Sequence, residues 1–138
     1  MKLPKIRIII VDDHKRVRAS LKELLELNSS YEIIADVEDG ETAISVTTEL
    51  LPDVILVDIN MNPMNGFMVT ETIAKLLPDV KIIGFSANNE PWHAQRMLAL
   101  GAKGYLTKSV SFDELCRAID LVAAGNIYIC EEVRKKME

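Results

Sequence analysis

Short apolar runs alternate with longer amphipathic stretches along the whole chain, and that order restricts the fold more than any other feature. Ile6-Arg7-Ile8-Ile9-Ile10-Val11 is rich in β-branched residues and stops at two aspartates, the pattern of a buried strand. Lys15 to Leu27 reads as a helix, with Val17, Leu21, Leu24 and Leu25 at helical spacing. Tyr31 to Val37 is a second strand, and Gly40 to Leu51 a helix with Ala43, Val46 and Leu50 on one face, ended by Leu51-Pro52. Val54-Ile55-Leu56-Val57 is almost purely apolar, as a parallel strand covered on both faces must be. A loop with Asn62, Pro63, Asn65 and Gly66 leads to a helix from Phe67 to Leu77, stopped by Pro78. The unit then repeats. Val80 to Phe85 is a strand, and Glu90 to Leu100 a helix with Pro91 in its first turn and Gly101 as its stop. Gly104-Tyr105-Leu106 is a short last strand. Ser111-Phe112-Asp113-Glu114 matches a capping box, whose Ser and Glu side chains each satisfy an exposed N–H, and it opens a helix to Ala124. Five strand–helix units with short connections predict an α/β fold: a doubly wound, five-stranded parallel sheet with five helices on both faces.

Composition narrows the functional classes. A chain of 138 residues, 49% hydrophobic and 27% charged, is one domain long and buries a core without disulfides. A net charge of −5 argues against free nucleic acid as the partner of this surface. Cys116 and Cys130 have no metal-ligand spacing and read as small buried hydrophobes in a reducing compartment. The start of the chain has no leader pattern, and no apolar run reaches the ~20 residues that span a bilayer. The expectation is a soluble cytoplasmic domain without a membrane partner.

In sheets of this kind the working site lies beyond the carboxyl ends of the strands. There the first strand delivers Asp12 and Asp13, the third Asp58, the fourth Ser86, and the last leads to Lys108. Clustered carboxylates repel one another unless a cation is present, and an all-oxygen ligand set suits Mg²⁺ with a phosphate as a further ligand. Lys108 and the Ser86 hydroxyl are suited to phosphoryl oxygens. No glycine-rich nucleotide loop follows any strand, so a kinase of the P-loop type is excluded. A carboxylate that itself accepts the phosphoryl group leads the alternatives, with Asp58 as nucleophile and Asp13, helped by Asp12, holding the metal.

Val11-Asp12-Asp13-His14, Asp53 to Met61, Gly66, Ser86-Ala87 and Gly101 to Lys108 together closely resemble the receiver domain of bacterial two-component response regulators. The segment Ala124 to Val133 is similar to the tail of receivers in the NarL/LuxR-type subgroup. The resemblance implies a flavodoxin-like (CheY-like) sheet of strand order 2-1-3-4-5, with residues 1–125 as the receiver. Residues 126–138 would then be a C-terminal extension beginning the linker to an absent effector domain. It implies phosphotransfer from a sensor histidine kinase to Asp58, with Mg²⁺ held by Asp13, Asp58, the Asn60 backbone carbonyl and, assisting, Asp12. Ser86 and Lys108 would bind the phosphoryl group. Ser86 and Tyr105 would form the switch, and output would control transcription through a helix-turn-helix DNA-binding domain. Receivers of this type also form homodimers.

The sequence departs from the family in two places. Asn62 stands between Met61 and Pro63, where proline usually follows the methionine directly, and Ser109 stands where a cis proline often follows the lysine. The geometry of the Lys108-Ser109 bond stays open. Tyr105 is alternatively the half-buried aromatic of an edge strand. Trp92, near Arg96 on an outward helix face, reads either as a partner surface or as a side chain packed back on a loop. His14 and His93 read as surface residues outside any ligand cluster. Two rival functions remain. One is an interaction-only receiver not regulated by phosphorylation. The other is a phosphatase with an aspartyl-phosphate intermediate, a chemistry that wants an aspartate where Asn60 stands.

Overall fold

The computed structural model describes residues 4–138. Its elements are β1 (Ile6–Val11), α1 (Lys15–Glu26), β2 (Tyr31–Val37), α2 (Gly40–Leu50), β3 (Val54–Val57), α3 (Gly66–Leu76), β4 (Lys81–Ser86), α4 (Pro91–Ala99), β5 (Gly104–Thr107), α5 (Phe112–Ala123), β6 (Tyr128–Ile129) and α6 (Glu131–Lys136). All strands are parallel, in the order β2-β1-β3-β4-β5-β6. The predicted order is therefore extended by a sixth strand and a sixth helix. Two residues of strand are too short to show periodicity. β6 exists because β5 would otherwise present unpaired backbone groups. Tyr128 N–H donates to the Lys103 carbonyl, and Cys130 N–H donates to that of Tyr105.

β3 and the ends of β1 and β4 are wholly buried, which explains why they carry no polar alternation. Helix ends follow local chemistry. Asp39 accepts from Thr42 N–H at 2.8 Å to cap α2, and Asn65 accepts from Met68 N–H at 3.0 Å to cap α3. Leu51 ends α2 in the left-handed region at φ 50°, and the Arg7 guanidinium donates to the Leu50 and Leu51 carbonyls there. Gly101 follows α4 at φ 116°, a conformation an L side chain rarely adopts. In α1, Leu21 and Leu25 are buried while Leu24 is exposed; in α4, Ala94 and Met97 are buried and Leu98 only partly so.

The capping box at Ser111 is only half formed. Ser111 Oγ accepts from Glu114 N–H at 3.0 Å. The Glu114 carboxylate turns instead to the C-terminal segment, accepting from Tyr128 O–H at 2.6 Å and Glu131 N–H at 2.9 Å. A tertiary partner outcompetes the local one, and it ties residues 128–131 to α5. Cys130 and Val133 are completely buried, and Arg134 lies over the Tyr128 ring. Val133→Ala is expected to cost about 1–2 kcal/mol by leaving an apolar cavity, measured by urea unfolding monitored by circular dichroism. No helix among the described residues is long and apolar enough to cross a membrane.

Candidate functional site

Strand pairing assembles the site. Val11 pairs with Val57, and Asp58 N–H donates to the Val11 carbonyl at 2.9 Å, so the aspartates after β1 and β3 emerge side by side. Ser86 pairs with Thr107, and Lys108 N–H donates to the Ser86 carbonyl at 2.9 Å, which brings the lysine beside the serine.

Asp12 and Asp58 are buried, at 1% and 2% exposure, whereas Asp13 is open to solvent. Lys108 Nζ donates to Asp12 Oδ2 at 2.7 Å and lies 3.4 Å from Asp58 Oδ2. Asp58 Oδ1 accepts from Asn60 N–H at 3.1 Å. Asp58 Oδ2 is buried without a hydrogen-bond partner. Burial, and then the charge of Asp12, hold the Asp58 carboxyl above the usual carboxylate range; Lys108 and the Asn60 N–H oppose this incompletely.

His14 is a surface residue as read, but it reaches this cluster rather than standing outside it. Its Nδ1 lies 3.0 Å from Asp12 Oδ1 and 3.0 Å from Asp13 Oδ1, and Asp12, Asp13, His14 and Asp58 each place a ligand atom within 4.8 Å of the others. The ring sits there because His14 N–H caps Asp12 Oδ1 at 2.8 Å, turning the side chain back over the loop. An orphaned carboxylate oxygen beside two further carboxylates fits a hard divalent cation. Such a cation prefers oxygen and supplies the missing positive charge.

Ser86 is fully buried, and its Oγ accepts from Asn88 N–H at 3.1 Å. Asn60 is exposed, and its side-chain oxygen accepts from Asn88 Nδ2 at 3.3 Å. Tyr105 is fully buried rather than half-buried, because β6 covers the edge of β5. Its O–H donates to the Asn88 carbonyl, and burial pushes the phenol up to about 12. The Lys108-Ser109 bond is trans, and the cis bond of the described residues is Asn62-Pro63.

Three supporting residues carry no local sequence signal. Arg18, one turn into α1, donates to the Asp12 carbonyl at 2.7 Å and to Asp36 Oδ1 at 3.0 Å, which fixes the acidic loop against β2. Asn88 joins Asn60, Ser86 and Tyr105. Glu132 of α6 accepts from Asn89, Thr107 and Ser109, and these three donors hold its carboxyl below the usual range. Each has at least one partner across the fold, and only the sheet order could have revealed that contact.

Trp92 and Arg96 lie apart from this constellation. Trp92 is 54% exposed and packs on helix residues rather than on a loop. It stacks on His93 at 3.8 Å and beside Phe67 of α3 at 6.2 Å, with the Arg96 guanidinium 5.4 Å from the Phe67 centroid. His93 is consequently a half-covered member of an aromatic stack rather than a surface histidine.

Residues 8–120 match the family model described as the response regulator receiver domain. The chain is 40% identical over 129 residues to the transcriptional regulatory protein DegU of Brevibacillus brevis, covering 94% of this chain and 55% of that protein. It is 32% identical over 132 residues to the response regulator GacA of Pseudomonas viridiflava, covering 96% of this chain and 62% of that one. It thus spans a little over half the length of these curated relatives. Among solved structures, a LuxR-family two-component response regulator from Aurantimonas sp. SI85-9A1 superposes with a TM-score of 0.93 at 28% identity, covering 96% and 95% of the two chains. The signal receiver domain of the response regulator NarL from Mycobacterium tuberculosis gives 0.85 at 29% identity, covering 90% and 100%.

Proposed function

Because the chain belongs to the response regulator receiver family, we propose that it is switched by phosphorylation of Asp58, with a sensor histidine kinase as donor and control of transcription as output. The observation that carries this reading is the buried Asp58 carboxylate, with one oxygen left without a hydrogen bond between Lys108 and the acidic pair Asp12-Asp13. An Asp58 oxygen attacks the phosphorus of a phosphohistidine. The P–N bond breaks, its electron pair returns to the imidazole, and an acyl phosphate forms. Lys108 stands within reach of the incoming oxygens, and the Ser86 hydroxyl would donate to another.

Asp13, Asp58 and the Asn60 carbonyl, with Asp12 assisting, are the residues that would hold Mg²⁺. When bound, Mg²⁺ neutralises charge on the transferring group. Asp12 and Lys108 also neutralise each other, so Lys108 stays in place in the unphosphorylated state. Tyr105 and Ser86 are read as the switch, since Asn88 joins both. Residues 126–138 are read as the start of the path to a DNA-binding effector domain. The relatives' greater length and the name of DegU as a transcriptional regulatory protein support this. A homodimer is compatible with the family reading, as is a cytoplasmic location. The domain is a signalling module rather than an enzyme acting on an outside substrate.

Intact mass after incubation with acetyl phosphate and Mg²⁺ tests the reading. One phosphoryl adduct is expected in the wild type, and none in Asp58→Asn or without Mg²⁺. If neither acetyl phosphate nor a phosphorylated histidine kinase gives an adduct, the interaction-only reading replaces this one. Steady release of phosphate from small phosphate esters would point to a phosphatase.

A further inference from the structure

Glu132 lies outside the acidic site yet touches both loops that build it. One carboxylate oxygen accepts from Thr107 Oγ at 2.7 Å and Ser109 Oγ at 2.8 Å, the two residues flanking Lys108. The other accepts from Asn89 Nδ2 at 2.9 Å, next to Asn88, which is itself bonded to Ser86, Asn60 and Tyr105. The same helix is anchored below by Val133 and Cys130, both fully buried, and by the Glu114 carboxylate on Tyr128 and Glu131. A single carboxylate therefore ties the C-terminal helix to both loops, by hydrogen bonds to Thr107 and Ser109 on one side and to Asn89, the chain neighbour of Asn88, on the other.

We propose that Glu132 is a positioning residue that couples the docking of α6 to the state of Asp58, so that the segment leaving the domain reads the site directly. The inference rests on the reading of Asp58 as phosphoacceptor. Its sign follows from the geometry. With Glu132 docked, Lys108 already stands 3.4 Å from Asp58 Oδ2 and Ser86 Oγ is held by Asn88 N–H, so docking preorganises the donors that a phosphoryl group needs. A group on Asp58 that engages Ser86 and Lys108 in turn holds Thr107, Ser109 and Asn89 in the positions Glu132 requires. Docking and phosphoryl binding favour each other, and by linkage each changes the other by the same factor.

The test uses the full 138-residue chain with Mg²⁺. Amide hydrogen exchange of residues 128–136 is followed with and without saturating beryllofluoride, and beryllofluoride affinity is titrated in the wild type, Glu132→Ala, Glu132→Gln and Glu131→Ala. Beryllofluoride is expected to slow exchange of this segment about five- to tenfold in the wild type. Glu132→Ala is expected to weaken beryllofluoride binding by a similar factor and to abolish the exchange response. Glu132→Gln, which keeps one acceptor oxygen, is expected to fall between. Glu131→Ala, altering the same helix without touching the loops, is expected to behave as wild type. Unchanged exchange at saturation, or equal beryllofluoride affinity in Glu132→Ala, overturns the coupling and leaves Glu132 a structural tie. Acetyl phosphate and intact mass on the same preparation separate the two failures. No adduct from acetyl phosphate or from a phosphorylated histidine kinase, together with no beryllofluoride binding, overturns the phosphoacceptor reading along with the coupling, whereas a full adduct with unresponsive exchange overturns the coupling alone.

Discussion

Gly66→Ala is expected to lower stability by about 2–3 kcal/mol, roughly 10 °C in melting temperature for a domain of this size. The glycine opens α3 directly against the end of β3, and its N–H donates to the Ile59 carbonyl at 2.9 Å. A Cβ there would lie 2.6 Å from the Ile59 Cα and 2.9 Å from the Asp58 carbonyl carbon. Both are backbone, so no rotamer change relieves the clash. The strand end or the helix start must move, and either displaces Asp58. Phosphorylation is therefore expected to slow in whatever fraction remains folded. Thermal denaturation and acetyl phosphate kinetics check the two effects. A melting temperature within 2 °C of wild type would show that the approach is looser than the geometry indicates.

Lys108→Met is expected to have a comparable effect by a different route. The substitution keeps the length of the stem but leaves Asp12 and Asp58 buried without their shared cation, at a cost of about 2–3 kcal/mol at neutral pH. Asp58→Asn acts in the opposite direction. The native Asp58 carboxyl titrates above its unfolded value, so its ionised form opposes folding. That penalty is absent below the unfolded value of about 4, grows as pH rises from there toward the folded value, and is complete above it. In Mg²⁺-free buffer, Asp58→Asn is expected to raise the melting temperature by a few degrees at neutral pH, with the gain shrinking toward pH 4. The Lys108→Met deficit is expected to shrink over the same acidification, and millimolar Mg²⁺ is expected to recover part of it. A melting-temperature difference between Asp58→Asn and wild type that stays constant from pH 4 to pH 7 would show that Asp58 is not the group responsible.

The layout of the fold was legible because its signals are local. β-branched runs, proline stops and capping side chains each act within a few residues. Asp12, Asp13, Asp58, Ser86 and Lys108 could be named for a related reason, since polar residues directly after buried strands can only emerge at one edge of a parallel sheet. What escaped was chiefly non-local. Glu114 looked like half of a capping box, and its carboxylate went to Tyr128 and Glu131 instead. His14 is solvent-facing as read, and only its reach to the carboxylates of Asp12 and Asp13, a local contact, was missed. Tyr128 and Ile129 are too few to announce a strand, and they become one only because β5 offers an edge.

By itself, then, the sequence determined the succession of strands and helices, the parallel sheet, and the identity of the groups delivered to its carboxyl edge, because periodicity and chain order are properties of the chain alone. Only the tertiary structure decided how those groups share charge: Lys108 hydrogen-bonded to Asp12, and Asp58 left with one oxygen without a hydrogen bond and a raised pKa. It likewise decided that residues 128–136 fold onto the sheet, with Glu132 joined to the loops of the site. Burial, and the closing of hydrogen bonds between residues tens of positions apart, depend on what surrounds a side chain, and those surroundings exist only once the layers have packed.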